Sequence, residues 1–442
     1  MPSLNYPSVP DNVRAGARDD KYLMWFMFAH IDADAFFASV LQRKDPRLRG
    51  KPLLALGAGG CIVIAASYPA KRKGVKTGMR LKDAKSLCPD AIALLSDFTE
   101  ACNASEQIET ILRSQTAAVE QMSVDEWFLD LRELVGGIPA DLALWAKDVQ
   151  RTISSSVGIG MSVGIAPTKL LAKMASEYRK PARVTVICPP HLPPTPYPLP
   201  TASILIETFL KDRPVASIPG IGRARQVHAA SLNWQTAWDF AYADEKTVVH
   251  LFGRPGSDLQ RELQGLPVSA VITESAPPKS ISRGRSFRCT RERADIFSMI
   301  VRQVSVCTLR MREQRLACRH LTLWVRDAAF RYADAHVRLP RPMDTEDALL
   351  PYVRHCFARL WKRVDGCTQA GVALCNLLPA GPAQYSLFEE PKNADRSESV
   401  QKTLDAVRAR FGRDSIVRAA GLQKKPPRSR LPNAFGHIGE TK

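Results

Sequence analysis

Two short segments of the sequence place carboxylates beside runs of apolar residues. Asp32 and Asp34 follow the apolar residues 22–31, and Asp125 and Glu126 precede the apolar stretch of the second segment. A buried carboxylate without a partner costs several kcal/mol, so acids clustered at strand ends indicate a divalent cation. Hard oxygen ligands suit Mg²⁺, and two such ions can clamp a phosphoryl group during an in-line displacement. The two segments therefore predict phosphoryl-transfer chemistry.

Each acidic segment also has an interpretation without chemistry. Acids at strand ends are often exposed to solvent, and acids before helices often cap them. Either segment alone fits this description as well as it fits a metal site. The two segments together, with the motifs described below, favour the metal site.

Composition narrows the class of partner. The chain has 442 residues, too many for one compact core, so we expect several domains. The net charge of +18 indicates a polyanion such as nucleic acid, with an acidic membrane surface as the weaker alternative. No apolar run reaches the roughly 18–20 residues that span a bilayer, and the polar N-terminus lacks the pattern of a signal peptide. We therefore expect a cytoplasmic protein that does not enter a membrane.

The ten cysteines are scattered, without a Cys-x-x-Cys pair or zinc-type spacing. We expect reduced, mostly buried thiols.

The acidic segments lie among alternating elements in the N-terminal half of the chain. Strands are predicted over residues 22–32, 53–56, 61–66, 162–165 and 184–187. Helices are predicted over residues 35–42, 68–76, 103–120, 140–157 and 169–177. The acids thus fall at the ends of strands in a mixed α/β region.

The C-terminal half is divided by proline-rich stretches. Residues 189–200 and 276–278 read as linkers, and the region 201–265 between them is mostly helical. The next region alternates, with strands at 281–289, 320–326, 334–339 and 370–377 and helices at 294–313 and 345–362. This pattern predicts an α+β unit, a four-stranded sheet with two helices on one face. Beyond residue 380 few residues are apolar until a helical patch at about 399–418.

Five motifs, in this order, resemble those of Y-family DNA polymerases, the translesion class of the bacterial polymerase IV and polymerase V type. They are Asp-x-Asp-x-Phe-Phe-Ala-Ser at 32–39, Ser-Tyr-Pro-Ala at 67–70, Ser-Val-Asp-Glu at 123–126, Ser-Val-Gly-Ile-Ala-Pro-Thr-Lys at 162–169 and Lys-Ser-Ile-Ser-Arg at 279–283. The similarity covers residues 22–377, most of the chain.

The resemblance implies an α+β multidomain fold of the right-hand polymerase type, with a palm, small fingers, a helical thumb and an α+β little finger. The implied divisions are a disordered leader (1–21), the palm (22–42 and 103–188), the fingers (43–102), the thumb (189–265), a linker (266–279), the little finger (280–379) and a flexible tail (380–442).

The resemblance also implies the metal ligands. Asp32, Asp125 and Glu126 would hold two catalytic Mg²⁺ ions, and the carbonyl group of Ala33 would add a ligand. Asp34 is not a metal ligand in the family, and we expect it to be structural.

Two aromatic residues follow the first acidic motif. Phe36 and Phe37 are expected beside the nucleotide, and Phe37 falls at the steric-gate position of the family. An aromatic ring there would clash with a ribose 2′-hydroxyl, which implies selection of deoxynucleotides. The alternative for Phe37 is an ordinary core aromatic.

Basic residues are expected around the triphosphate. The resemblance implies that Tyr68 hydrogen-bonds it from the fingers, with Lys71 or Arg72 adding charge. Lys169 stands at a predicted strand-to-helix turn, where a lysine can reach phosphates and the helix N-terminus favours anions. The family usually has arginine where this chain has Lys71, and many relatives have threonine where it has Ala65. A lysine supplies a point charge and not a bidentate fork.

DNA contacts are expected in the thumb and the little finger. Gly220 and Gly222 resemble the thumb turn that offers backbone N–H groups to phosphate, although many helix pairs turn on glycine. The little finger contains 18 Lys and Arg against 9 Asp and Glu. Arg283 and Arg285, with Arg288 nearby, share one face of a predicted strand that could follow phosphates without reading sequence. The alternative is a solvated basic strand.

The predicted tail carries a peptide that resembles the sliding-clamp motif of bacterial polymerases. Leu387 and Phe388 would anchor in an apolar pocket, and Gln384 would fix the register. The longer basic tail after this peptide favours the polymerase V subunit over polymerase IV, with accessory subunits as further partners.

These motifs lead to one functional hypothesis and three alternatives. The hypothesis is template-directed, error-prone DNA synthesis past lesions from dNTPs on primer–template DNA, by two-metal nucleotidyl transfer without proofreading. The alternatives are a catalytically weak accessory protein that binds DNA and the clamp, another nucleotidyl-transfer enzyme such as a cyclase, and a plain DNA-binding module. The presence of all three acids argues against the first alternative.

Overall fold

The computed structural model describes residues 28–188, 203–274, 276–361, 366–380, 391–412 and 415–422. The chain forms two compact units, residues 1–275 and residues 276–442, called here the first and second units. The predicted leader and the clamp-like peptide at 384–388 lie outside the described residues. Within the described residues, no helix is long and apolar enough to cross a bilayer.

The first unit alternates strands and helices as the sequence pattern predicts. Its strands are β1 (Phe28–Ala33), β2 (Leu53–Leu56), β3 (Val63–Ala66), β4 (Ile92–Leu95), β5 (Val119–Gln121), β6 (Glu126–Asp130), β7 (Met161–Ala166), β8 (Val184–Cys188) and β9 (Ser203–Leu205). Its helices are α1 (Phe36–Lys44), α2 (Tyr68–Arg72), α3 (Leu81–Leu87), α4 (Phe98–Gln115), α5 (Leu142–Val157), α6 (Lys169–Glu177), α7 (Ile206–Lys211), α8 (Arg223–Ser231), α9 (Ala237–Ala241), α10 (Glu245–Phe252) and α11 (Arg254–Leu263).

The central layer of the first unit is a six-stranded sheet in the order β5-β6-β1-β7-β8-β9. Strand β1 pairs antiparallel with both β6 and β7, while β7, β8 and β9 are mutually parallel. Alternate residues of a strand point to opposite faces. One face, which includes Ile31, packs against α4 and α5, and the other face, which includes Phe28, packs against α6.

Helix α6 approaches the sheet very closely because β7 contains glycine at the point of contact. A Cβ atom on Gly164 would lie 2.1 Å from the carbonyl oxygen of Ala172. The N-terminus of α6 is also fixed by α11: the Thr168 hydroxyl donates to the Glu262 carbonyl oxygen, and the Leu170 N–H donates to the Glu262 carboxylate. The other end of α6 is therefore held in a set position against the end of β1.

A small three-stranded sheet, in the order β3-β2-β4, forms a separate layer of the first unit. One of its faces packs on α1 and the other on α2 and α3. Strand β4, helix α3 and strand β5 are short and were not predicted. The helix predicted at 103–120 spans Phe98–Gln115 and is capped by the Asp97 side chain, which accepts from the Glu100 N–H.

The helices α7 to α11 form the region predicted as the thumb. Their apolar side chains share one core with α6. The predicted range 189–265 also contains β9, which is the edge strand of the central sheet. The thumb range implied by the resemblance therefore includes one strand of the central sheet. This three-residue edge strand was not predicted, because it is too short to show alternation in the sequence.

The second unit has the predicted architecture of a sheet covered on one face by helices. Its elements are β10 (Ser280–Thr290), α12 (Arg293–Glu313), β11 (Leu316–Arg326), β12 (Tyr332–Met343), α13 (Glu346–Trp361), β13 (Cys367–Pro379) and α14 (Pro391–Phe411). The strand order is β10-β13-β11-β12, all antiparallel. Apolar side chains of the sheet pack against α12 and α13 to form its core.

The C-terminal segment differs from the expected flexible tail. Helix α14, at the predicted helical patch, docks on the helical side of the sheet, and the turn Ala419–Gly421 lies against α12. Arg408, on α14, is almost fully buried against Glu346 at the start of α13. Asp405, Arg408 and Arg418 of this segment form ion pairs within the second unit.

The cysteines agree with their expected role. All ten are free, and six of them are buried.

Candidate active site

The strand register brings the first two acidic residues together. Asp32, near the end of β1, lies opposite Glu126, the first residue of β6. On its other side Asp32 lies opposite Ser162 of β7. The two acids predicted from separate segments of the sequence therefore meet on neighbouring strands.

Helix α6 adds a third carboxylate that the sequence interpretation missed. Ligand atoms of Asp32, Glu126 and Glu177 all lie within 4.8 Å of one another. Oxygen atoms of this kind and spacing fit a divalent cation such as Mg²⁺, which prefers carboxylate ligands. In the described part of the chain this is the sole group of three or more acidic, histidine or cysteine residues with such spacing.

Asp125 has a different orientation from the other two predicted ligands. Its carboxylate accepts a hydrogen bond of 2.5 Å from the Ser123 hydroxyl and is not part of the cluster. Its backbone is nevertheless at the site, because its carbonyl oxygen accepts from the Ala33 N–H at 2.9 Å. The structure brings Asp32 and Glu126 together and places Asp125 beside them, turned toward Ser123.

Two lysines carry the charge balance of the cluster. Lys180 Nζ is 2.5 Å from Asp32 Oδ1, and Lys173 Nζ is 2.6 Å from Glu126 Oε1. Burial raises the pKa of Asp32 to about 6, although Lys180 lowers it; Glu126 and Asp125 raise it further. Burial thus outweighs the neighbouring lysine and disfavours the ionised form of Asp32.

Asp34 joins the elements that surround the cluster. Its Oδ1 atom accepts from the hydroxyls of Tyr68 and Ser162, at 2.9 and 2.8 Å, and its Oδ2 atom accepts from the Ala182 N–H at 2.7 Å. These bonds connect α2, β7 and the loop that carries Lys180. They fit the expected structural role of Asp34.

The aromatic pair after the motif has one buried and one partly exposed member. Phe36 is 2% exposed and its side chain belongs to the core under the central sheet. Phe37 is partly buried and contacts Phe36 and Phe98 edge-on, with ring centroids 5.4 and 5.6 Å apart. Phe37 is the ring of the pair that reaches the surface.

Helix α2 reaches the site through Tyr68, whose hydroxyl donates to Asp34. Tyr68 is half-buried, and burial together with the charges of Asp34 and Asp32 raises its pKa. The Lys71 ammonium lies over the Tyr68 ring at 4.7 Å, and partial burial and the charge of Lys180 lower its pKa. Lys71 and Lys180 are therefore close enough to repel each other, an arrangement that favours an anion between them.

Lys169 does not approach this cluster in the structure. It is the first residue of α6, whereas Glu177 is the last, so the two are about 12 Å apart along the helix. Lys169 Nζ is 2.6 Å from Glu120 Oε2 and lies over the Phe128 ring at 4.8 Å. This buried ion pair, and not a phosphate site, is where the structure places Lys169.

The predicted DNA-contact residues lie in a glycine turn before α8 and on the exposed strand β10. Gly220 has a φ of 96°, and Gly222 immediately precedes α8. Arg283, Arg285 and Arg288 are exposed on β10, an edge strand.

Arg283 and Arg285 share one face of β10, as the alternation predicts. They pair with Val372 and Ala370, both of which point to the helix-covered face. The two arginines thus lie on the helical side of the sheet edge and not on its open face.

Three functional candidates were missed by the sequence interpretation: Lys173, Glu177 and Lys180. Lys173 and Glu177 are four residues apart in the predicted helix 169–177 and share one helix face, whereas Lys180 lies in the loop after it. That face was the signal that could have found Lys173 and Glu177, but the polar pattern alone does not show which end of the helix meets the acids.

Comparison with known proteins identifies the family. A profile of the impB/mucB/samB family matches residues 31–177, and a profile of the C-terminal domain of the same family matches residues 278–387. This chain belongs to the impB/mucB/samB family. The resemblance to Y-family translesion polymerases is thereby confirmed, and the relatives described next agree with it.

Several relatives are DNA polymerases, and the match covers nearly their whole length. DNA polymerase IV of Moorella thermoacetica is 31% identical over 399 residues, which cover 88% of this chain and 95% of that protein. DNA polymerase IV 1 of Bacillus subtilis is 29% identical over 413 residues, covering 91% of this chain and 94% of that protein.

Solved structures show the same fold. A Y-family DNA polymerase chimera of Dbh and Dpo4 has a TM-score of 0.66 at 22% identity and covers 80% of this chain and 99% of the chimera. An insertion ternary complex of Dbh DNA polymerase has a TM-score of 0.53 at 22% identity, with the same coverage. The expected α+β multidomain fold of the polymerase type is confirmed.

Proposed function

We propose that this chain is a DNA-directed DNA polymerase that carries out error-prone synthesis past template lesions. The observation that carries the proposal is the meeting of Asp32 and Glu126 on neighbouring strands, in a chain whose relatives are DNA polymerases. The substrates are primer–template DNA and dNTPs. A cytoplasmic location stays a prediction.

Two acids of the cluster, Asp32 and Glu126, are metal ligands in this proposal. Asp32, Glu126 and the Ala33 carbonyl group would hold two Mg²⁺ ions together with Asp125, whose carboxylate would have to turn away from Ser123. When bound, the ions activate the primer 3′-hydroxyl and stabilise the leaving pyrophosphate. Asp32 and Glu126 stand on two paired strands, so their carboxylates lie close together before any metal binds.

The triphosphate is bound by basic residues from two segments. Lys71 and Arg72 approach from α2, and Lys180 approaches from the loop after α6. Lys180 takes the role that the motif position suggests for Lys169, because Lys169 is already paired with Glu120. The mutual repulsion of Lys71 and Lys180 is relieved by the bound anion.

The sugar is selected by Phe37, whose ring stands at the surface beside Phe98. Replacing Phe37 with alanine is expected to admit ribonucleotides, measured by the ratio of rNTP to dNTP incorporation. An unchanged ratio would remove the gate assignment. Synthesis without proofreading stays a prediction.

DNA and clamp contacts complete the proposal. Arg283, Arg285 and Arg288 supply charge to the DNA backbone, and the turn at Gly220 and Gly222 supplies N–H groups. The sliding clamp, bound through Gln384, Leu387 and Phe388, and accessory subunits of the polymerase V type stay predictions.

Primer extension with Mg²⁺ tests the central claim. The unchanged chain is expected to extend a primer distributively, and Asp125→Ala is expected to show no extension. Equal extension by both would remove the assigned active site. Lys169→Met and Lys180→Met are compared next. Because Lys169 lies outside the cluster, Lys169→Met should raise the KM for the nucleotide far less than Lys180→Met does.

A further inference from the structure

Two lysines form ion pairs with carboxylates that the proposed function assigns as metal ligands. Lys173 Nζ lies 2.6 Å from Glu126, and Lys180 Nζ lies 2.5 Å from Asp32. A divalent cation that reaches the same oxygen atoms meets a positive charge already in place. At such distances two like charges repel strongly, even with the dielectric screening of a protein surface. Each lysine must therefore move when its carboxylate becomes a ligand.

The two lysines differ in where they can go. Lys180 lies in the loop after α6, near Lys71, so its alternative partner is an incoming phosphate. Lys173 lies within α6, on the side of Glu126, and it has a second carboxylate one turn further along the same helix. Residues four apart on a helix are neighbours, and Glu177 is four residues from Lys173.

Glu177 is suitably placed to receive the Lys173 ammonium. Its carboxylate is exposed, and one of its oxygen atoms lies within 4.8 Å of oxygen atoms of Asp32 and Glu126. The flexible four-carbon stem of a lysine spans the distance between neighbouring turns without a change of backbone. The Lys173 side chain is about a quarter exposed, so its movement is not blocked by packing.

We propose that Lys173 is a resident counter-ion of the metal site, and that it moves from Glu126 to Glu177 when a divalent cation binds. This inference rests on the proposed function, because it takes Glu126 as a metal ligand. Lys173 acts as a positioning residue that holds the carboxylates together without metal and lowers the affinity for metal. Glu177 is its acceptor and not a ligand.

Binding of Mn²⁺ to the intact chain, without DNA or nucleotide, tests this inference independently of activity. Electron paramagnetic resonance of free Mn²⁺ gives the dissociation constant. Lys173→Met removes the competing cation and is expected to tighten binding by about three- to tenfold. Glu177→Gln leaves Lys173 without its acceptor and is expected to weaken binding by a similar factor. Lys173→Gln, with circular dichroism on every variant, guards against a folding defect.

The double variant decides whether Glu177 is an acceptor. In the Lys173→Met background, Glu177→Gln should have much less effect than in the unchanged chain, because there is no ammonium left to receive. A loss of affinity equal in both backgrounds would make Glu177 a direct ligand and overturn the proposal. Unchanged affinity in Lys173→Met would overturn it as well.

A matched control is available elsewhere in the first unit. Lys211 and Glu207 form an exposed ion pair with the same four-residue spacing on α7, at 2.6 Å. Lys211→Met and Glu207→Gln should leave Mn²⁺ binding unchanged, and any change there would mean that general surface charge explains the Lys173 result. Asp32→Ala should abolish binding. If it does not, the proposed metal site fails, whatever Lys173 does.

Discussion

Asp32 in the first unit and Glu346 in the second unit are both buried carboxylates beside cationic side chains, yet their surroundings have opposite effects. Asp32 faces one lysine and two further acids, and its pKa is raised to about 6 by burial. Burial also raises the pKa of Glu346, but Arg408, Ser305 and Arg418 together outweigh it and hold the pKa below its usual value.

The partners of the two carboxylates differ in chemistry and in exposure. Glu346 accepts from Arg408 at 2.5 Å, from Arg418 at 2.9 Å and from the Ser305 hydroxyl at 2.8 Å. The Arg408 side chain is 4% exposed, whereas that of Lys180, beside Asp32, is 21% exposed. Guanidinium groups present several donors in a fixed plane, while an ammonium is a compact charge on a mobile stem.

The comparison separates a permanent ion pair from an exchangeable one. The oxygen atoms of Glu346 are saturated by donors that also tie α14 and the chain after it to α13. The oxygen atoms of Asp32 and Glu126 each have a lysine that solvent can reach. The second arrangement suits a carboxylate that binds a metal ion. Its partly exposed lysine can move into solvent, and the metal ion then neutralises the carboxylate.

Asp32→Asn is expected to give the largest effect and to separate activity from stability. Primer extension should fall by at least ~10³-fold, because a metal ligand and its charge are lost. The metal-free chain should become more stable by on the order of 1 kcal/mol, since a carboxylate whose pKa is raised by folding destabilises the fold when it ionises. Thermal unfolding without divalent cations checks the second point, and a clear loss of stability would show that Asp32 is a structural ion pair like Glu346.

Glu346→Ala is expected to lower the stability of the fold, the opposite of Asp32→Asn. Two arginines lose their shared acceptor, and one of them is buried, so the second unit should lose about 3 kcal/mol of stability. Hydrogen exchange measured on peptides of α12, α13 and α14 in the intact chain localises the effect.

Arg408→Lys sharpens that result. It keeps the charge but removes the planar donors, and it should loosen α14 more than the exposed Arg331→Lys loosens its own turn. Exchange rates in α14 that stay unchanged in both Glu346→Ala and Arg408→Lys would mean that the ion pairs do not hold this helix.

Local sequence pattern predicted much of the scaffold of the site. Helix α6 was predicted at the residues where it is found, β7 was predicted within one residue of each end, and the described part of the strand predicted at 22–32 lies in β1. These elements have strong periodicity and clear breakers, so their existence follows from local physics. The meeting of Asp32 with Glu126 was expected from the resemblance, and the register supplies its geometry.

The partners of individual charges could not be predicted in the same way. Lys169 begins α6, and its partner Glu120 lies on β5, a three-residue strand with too little pattern to be recognised. The Arg408–Glu346 pair joins residues 62 positions apart. Pairings of this kind depend on how elements dock, so a basic segment that looks solvated in sequence can be buried in the fold.

The pH dependence of stability gives the smallest and most specific test of the comparison. The pKa of Glu346 is lower in the folded chain than in the unfolded chain, so its contribution is fully present above about pH 4.5 and is lost as the pH falls through the folded value. The stability gap between the unchanged chain and Glu346→Gln should therefore be constant from pH 7 to about 5 and shrink below that. Glu207→Gln, in an exposed pair, should show a gap near zero at every pH. Thermal unfolding of the three proteins across this range measures both gaps, and a Glu346 gap that widens in acid would mean that its arginine partners do not offset the cost of its burial.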